Sequence, residues 1–187
     1  EMSASLVGSE MCIRDRYATG GYICTSPFPY DGIFRRAVLN FKFHNCGAYA
    51  ELLSHEMVRS IKDVYRDREF DLVTCVPMHK DTLRKRGYNQ AELLAKECAR
   101  ILGIEYADLL AKTKKNKTQH SIKAAERVKN VIGVYSPIDK NLIKGKRILI
   151  IDDIITTGST LGECARILNK CKCGEICCCT LCTSLLI

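Results

Sequence analysis

Two adjacent carboxylates, Asp152 and Asp153, stand just before a run of small hydroxylated residues, Thr156-Thr157-Gly158-Ser159-Thr160. Such a run at the opening of a helix makes a phosphate cradle. The helix N-terminus presents unpaired N–H groups at the positive end of the macrodipole, the glycine lets the backbone come close, and three threonines and a serine add hydroxyl donors. The two acids cannot both be core residues, because an unpaired buried charge is too costly. They suit two adjacent sugar hydroxyls, from which each would accept a hydrogen bond, or a Mg²⁺ ion. A site that takes both a phosphate and a vicinal diol fits a ribose 5-phosphate. The Walker pattern does not apply, since no lysine follows the glycine. The plainer alternative is an ordinary strand–turn–helix closed by a Thr160…Glu163 capping box. That needs neither the acid pair nor four hydroxyls.

Two groups of cations could serve anionic ligands. Lys80, Arg84, Lys85 and Arg86 surround Gly87 in the stretch Met78 to Gln90, which reads as a basic loop suited to a pyrophosphate or as solvated surface. Lys112, Lys114, Lys115 and Lys117 are candidates for nucleic-acid phosphates, or again for a solvated loop. Tyr88, Tyr106 and Tyr135 could offer stacking faces, although a core explains them equally well. Six cysteines fall between Cys171 and Cys182. Zinc is the sharp reading of them, but successive residues on a strand face opposite ways, so Cys177, Cys178 and Cys179 cannot converge. Reduced structural thiols are expected instead. The four histidines show no ligand spacing, and only His79 lies beside other candidate residues.

These residues need elements to position them. Arg147 to Ile151 is an apolar, β-branched run expected as a strand buried on both faces and ending at Asp152. Leu161, Cys164, Ala165 and Leu168 recur at helical spacing behind the hydroxyl run. Phe70 to Val76 predicts a second buried strand stopped by Pro77, followed by a helix marked by Ala91, Leu94, Ala95, Cys98 and Leu102. Further helices are expected over Tyr30 to Phe43, capped by Asp31, and over Ala48 to Lys62. Glu175 to Ser184 reads as a last strand. Leu109 to Pro137 is polar and basic, then β-like from Val131 to Tyr135, and is expected to be a partly extended, mobile lid.

At 187 residues, 47% hydrophobic and 27% charged, the chain is long enough and apolar enough for a globular core in one domain. The excess of Lys and Arg over Asp and Glu, 29 − 21 = 8, favours anionic partners. No apolar run is long enough to span a membrane, no leader is evident, and a cytoplasmic location is expected. Residues 1–29 are left unassigned, with Glu1 to Arg16 reading either as a disordered end or as a sequence scar. The domain is expected over residues 30–187.

The hydrophobic run, acid pair and T-T-G-S-T string together resemble the phosphoribosyl-pyrophosphate (PRPP) motif of type I phosphoribosyltransferases. VPMHKDTLRKRGYNQAELLAKECA, TQHSIKAAERVKNVIGVY and YDGIFRRAVLNFKF resemble three further segments of the ComF family of phosphoribosyltransferase-like proteins, which is related to amidophosphoribosyltransferases and associated with natural competence. Family members usually begin with a four-cysteine zinc ribbon, and no such pattern precedes Tyr30. The resemblance implies an α/β type I phosphoribosyltransferase fold: a parallel sheet of about five strands flanked by helices, with a small hood. It implies Mg²⁺–PRPP with its 5-phosphate on Thr156 to Thr160, its ribose hydroxyls on Asp152 and Asp153 as the catalytic pair, and its pyrophosphate near Lys80 to Gly87. The metal would be carried by PRPP rather than by the protein alone. Two functions follow from the resemblance. One is an enzyme of nucleoside metabolism that transfers phosphoribose to a nitrogen acceptor. The other is a competence accessory protein that binds single-stranded DNA, with competence-machinery proteins as partners and the PRPP pocket used for sensing or vestigial.

Overall fold

The apolar run before the acid pair forms the middle of a sheet. The computed structural model describes residues 22–43, 48–114 and 131–184. In chain order these form β1 (Ile23–Thr25), β2 (Phe28–Pro29), α1 (Gly32–Phe43), α2 (Ala48–Val64), β3 (Leu72–Cys75), α3 (Lys80–Arg86) and α4 (Gln90–Leu102). They continue with β4 (Glu105–Tyr106), β5 (Leu110–Lys112), β6 (Tyr135–Pro137), α5 (Lys140–Ile143), β7 (Arg147–Ile155), α6 (Ser159–Lys170) and β8 (Glu175–Thr183). The main sheet is parallel and runs β1-β8-β7-β3-β4, with β2 also pairing β8. Its strands thus fill five positions, as the resemblance implies. Residues 23–29, left unassigned in the sequence reading, supply the β1/β2 edge.

Alternation along β7 divides the core. Ile148 and Ile150 join α6 residues Leu161, Cys164, Ala165 and Leu168 on one face. Leu149 and Ile151 join α1, α2 and α4 on the other, through Val38, Met57, Leu94 and Cys98. Burial on both faces explains why this strand reads as a continuous apolar run. Three consecutive cysteines of β8 obey the same rule, whereas Cys182, nearer the strand's end, packs with Cys177 and Cys179. Cys178 packs on the α6 face, while Cys177 and Cys179 pack on the other. The ten cysteines among the described residues are free thiols, and burial pushes the Cys98 thiol up to about 12.

Two expectations change. The strand predicted to stop at Asp152 runs on to Ile155, because β8 continues to pair with it through Asp152↔Thr180 and Ile155↔Thr183. The excursion from Leu109 to Pro137 has extended ends, as expected, but its returning strand is Tyr135–Pro137 rather than Val131 to Tyr135, and it closes an antiparallel ribbon with Leu110↔Pro137 and Lys112↔Tyr135 in register. The Gly133 N–H at its return donates to Glu163 Oε1 at 2.7 Å, which ties the ribbon to α6. Glu163 also pairs with Arg166, so it does not form the capping box; the N-cap of α6 is Gly158. Residues 115–130 of the predicted lid, including Lys115 and Lys117, lie outside the described residues.

The start of β7 is fixed by charge. Asp71 Oδ2 accepts from the Arg147 main-chain N–H at 2.7 Å, and Asp71 Oδ1 accepts from the Arg147 guanidinium at 3.0 Å. These bonds hold the Asp71 carboxyl down to about 2 from an ordinary 3.8. The folded pKa lies below the unfolded one, so the stability contributed is present above about pH 4 and lost as pH falls towards 2. Asp71→Asn should therefore melt at a lower temperature than the parent at pH 7, with the gap closing between about pH 4 and pH 2 and narrowing in high salt. Thermal melts across that range would check it; a gap of constant size would show that the carboxylate charge is not its source.

Candidate active site at the carboxyl ends of β3 and β7

From β3 the chain passes outward to β4 and later returns through β7 to β8 on the other side. Strand order reverses between β3 and β7, and the crevice beyond the carboxyl ends at such a point is where open α/β sheets bind ligands. A cleft of about 250 Å³ lies there, with Lys42, Arg86, Lys112, Tyr135, Asp152 and Asp153 among its walls. The hydroxyl run Thr156 to Thr160 walls a smaller adjoining cavity, and Asp152 and Thr160 line both. The sequence-predicted phosphate cradle and acid pair are thus brought together.

The cradle is held from below. Gly158 takes φ 71° as the N-cap of α6, a conformation that a side chain would strain. Its carbonyl accepts from the buried Tyr22 hydroxyl at 2.9 Å and from the Gly162 N–H at 2.8 Å. The Thr157 and Ser159 hydroxyls lie 2.6 Å apart and bond each other. Hydroxyls of this kind can re-aim towards a ligand, since their hydrogens rotate.

Strand alternation separates the acid pair, although the Asp153 N–H donates to Asp152 Oδ1 at 2.8 Å. Asp153 turns towards α1, where Lys42 Nζ lies 2.7 Å from Asp153 Oδ2. Asp152 turns towards α6 and the ribbon, where its charge is felt by Lys112 and Cys164. Burial, with Asp153 alongside, pushes the Asp152 carboxyl well above the usual carboxylate range, while Lys42 and Lys112 pull it back. Lys112 is itself half-buried, with Nζ 5.4 Å from the Tyr135 ring centroid, and desolvation lowers its pKa.

Lys112, grouped in the sequence with Lys114, Lys115 and Lys117 as a nucleic-acid candidate, is a wall of the cleft. The reason is register: Lys112 sits opposite Tyr135 at the inner end of the ribbon. Lys114 is exposed just beyond β5.

The basic stretch is a helix rather than a loop. His79 Nδ1 accepts from the Asp81 N–H at 3.2 Å to cap α3, and Gly87, at φ 90°, ends it. A helix distributes its side chains around an axis, so the four cations do not converge. Arg86 lines the cleft, whereas Lys80, Arg84 and Lys85 are exposed.

The string Arg86-Gly-Tyr-Asn-Gln90 does its work by positioning. Asn89 caps α4 through the Ala91 N–H at 3.2 Å and donates to the Val76 carbonyl at 3.1 Å, which joins the end of β3 to the start of α4. The Tyr88 hydroxyl donates to the Phe41 carbonyl and Gln90 Nε2 to the Lys42 carbonyl at 3.4 Å. Arg86 donates to Gln90 Oε1 at 2.8 Å. These bonds fix the end of α1, and with it Lys42. Sequence reasoning assigned Lys42 no role; the signal was present in the matched Lys42-Phe43 pair of YDGIFRRAVLNFKF, whose chemistry depends on a distant acid.

Comparisons with known proteins agree with this geometry. A family model described as "Phosphoribosyl transferase domain" matches residues 89–185, more than half of the chain. The chain is 31% identical over 144 residues to Competence protein F of Haemophilus influenzae, covering 74% of this chain and 63% of that protein. It is 30% identical over 152 residues to Competence protein ComFC of Bacillus subtilis, covering 81% and 60%. It is 30% identical over 101 residues to the DNA utilization protein YhgH of Escherichia coli strain K12, covering 54% and 44%. The chain therefore spans less than two thirds of the length of these relatives. Among solved structures, a glutamine PRPP amidotransferase from B. subtilis superimposes with a TM-score of 0.50 at 18% identity, over 75% of this chain and 30% of that one. That likeness speaks to fold. With the parallel sheet, the crevice and the acid-then-hydroxyl loop in place, the chain belongs to the ComF family of type I phosphoribosyltransferase-like proteins.

Proposed function

We propose that the cleft binds PRPP and that the protein transfers its phosphoribosyl group to a nitrogen acceptor in nucleoside metabolism. The observation that carries this reading is the acid pair near the end of β7 beside the hydroxyl loop: Asp152 and Thr160 line both the cleft and the cavity that the loop walls. In it the 5-phosphate lies on Thr156 to Thr160, taking hydroxyl donors and the N–H groups that open α6. Asp152 and Asp153 accept hydrogen bonds from the two ribose hydroxyls. The pyrophosphate extends towards Arg86 and Lys112; Lys80, Arg84 and Lys85 contribute only a more distant positive field.

The bond between C1 and the pyrophosphate oxygen breaks with its electron pair leaving on pyrophosphate. The acceptor nitrogen supplies the pair for the new C1–N bond and then loses a proton to solvent. Positive charge develops at C1, next to the carboxylates, and negative charge on the leaving group, next to the cations. Positioning and fixed charge are therefore what the protein supplies. Among the described residues no group of three or more His, Cys, Asp or Glu side chains is placed to hold a metal, and Asp153 is already in an ion pair. Mg²⁺ carried by PRPP would offset part of the pyrophosphate's negative charge, while Arg86 and Lys112 supply the protein's share.

Replacing Asp152 and Asp153 together by Ala should weaken binding of PRPP, measured by calorimetry with Mg²⁺ present, by at least about tenfold, because two hydroxyl–carboxylate bonds are lost at about 1 kcal/mol or more each. Equal affinity in variant and parent would remove the carboxylates from the site.

The names of the relatives, competence and DNA utilization, favour a second reading in which the protein binds single-stranded DNA as a competence accessory, alongside competence-machinery proteins. Lys114, Lys115 and Lys117 are its candidate contacts; Lys112 is withdrawn, because it belongs to the cleft. No helix among the described residues is long and apolar enough to cross a membrane. Three phosphate contacts on a single strand would give a slope of log K against log salt of about −2. A Lys114→Gln, Lys115→Gln, Lys117→Gln variant should lose most of that slope in titrations with a labelled oligonucleotide while keeping its affinity for PRPP. An unchanged slope would place any DNA contact elsewhere.

A further inference from the structure

Asp153 has a partner before any ligand arrives. Lys42 reaches from the last turn of α1 to within 2.7 Å of Asp153 Oδ2, with the lysine side chain 19% and the aspartate side chain 15% exposed. The backbone that carries Lys42 is held by Tyr88 and Gln90, so the pair is a built contact. Lys42 lies outside residues 89–185, the part matched by the phosphoribosyltransferase family model. Its ammonium nevertheless lines the same cleft as the acid pair, Arg86 and Lys112.

This contact sets a requirement on ligands. An ammonium bonded to Asp153 occupies acceptor positions that a sugar hydroxyl would need. A neutral hydroxyl that displaces it exchanges a charge-assisted bond for a weaker one and strands a half-buried cation. A ligand that also carries a pyrophosphate gives that cation a new partner inside the cleft. Lysine suits the exchange, since its ammonium is a point charge on a flexible stem with three rotatable donors.

Building on the PRPP reading, we propose that Lys42 is a specificity-determining residue. Its ammonium holds Asp153 in the free protein and transfers to the ligand's pyrophosphate when the ribose hydroxyls take Asp153. The site thereby favours ribose 5-phosphates that carry a pyrophosphate over ribose 5-phosphate alone. No covalent bond changes in this step; one ion pair is exchanged for another.

The test compares two ligands on the full chain by calorimetry: PRPP with Mg²⁺, and ribose 5-phosphate. Lys42→Met should bind PRPP at least tenfold more weakly while binding ribose 5-phosphate as well as the parent or better. The preference for PRPP then shrinks by tenfold or more. Lys42→Arg should keep most of the preference. If Lys42→Met does not fold, Lys42→Gln, which can still donate to Asp153 but carries no charge, should show the same loss of preference. Equal weakening of both ligands, or an unchanged ratio, would make Lys42 a structural prop and overturn the proposal. The parent separates this failure from failure of the PRPP reading: if it binds neither ligand, that reading falls and Lys42's role falls with it. If it binds both and the ratio survives Lys42→Met, the role of Lys42 alone is lost.

Discussion

Two carboxylates placed side by side at the end of a buried strand are expensive. Each must leave water, and each repels the other, so the fold has to supply positive charge within a few ångströms. Strand geometry decides how that is done. Neighbouring residues on β7 face opposite ways, so one lysine cannot serve both acids. Asp153 finds Lys42 on α1, and Asp152 lies near Lys112 on β5. The acids are thus bracketed by cations from elements 70 residues apart in sequence, 112 − 42, and those elements must be held accurately for the site to exist.

The signature around Gly87 performs much of that holding. Asn89 joins the end of β3 to α4, while Tyr88 and Gln90 reach to the carbonyls that finish α1. Gly87 ends α3 in the left-handed region, which turns the chain so that these three side chains face inward. A family signature therefore need not be a list of ligand contacts. Here Arg86 is the member of the string with a charge in the cleft, and its guanidinium is itself oriented by Gln90. The hydroxyl loop has a comparable support in Tyr22, which lies before the first strand and bonds the carbonyl of Gly158.

Most of the sheet was legible in the sequence. The β-branched run before Asp152 and the stripe Leu161, Cys164, Ala165 and Leu168 carry periodicities that only one buried arrangement satisfies. The acid pair and the hydroxyl loop were legible because adjacent residues carry their chemistry. Besides the edge strands β1, β2 and β4, three things were not. The cations of Met78 to Gln90 read as a loop because turn residues flank them, and the seven-residue helix they form brings its sides to different surroundings. Lys112 read as one of a run of lysines, since nothing local marks a residue that pairs across a ribbon with Tyr135. Lys42 sits in a segment that resembles the family, but nothing local states its role, because its partner lies 111 residues away, 153 − 42. The period-two alternation that parts Cys178 from Cys177 and Cys179 also makes the adjacent Asp152 and Asp153 diverge, so each needs its own counter-ion.

The ribbon links this charge arrangement to the segment it brackets. Lys112 and Tyr135 face each other across the strands from which residues 113–134 depart and return. Lys112 is also desolvated beside Asp152. A change in the charge of the cleft, such as arrival of a polyanion, alters the balance that keeps this ammonium near the acid pair. The same change acts on the ribbon, because Lys112 cannot move without disturbing its contact with the Tyr135 ring. Glu163 adds a second tie, holding the returning strand to the helix that begins at the hydroxyl loop. The hydroxyl loop and the cleft thus meet one short piece of structure from its two sides.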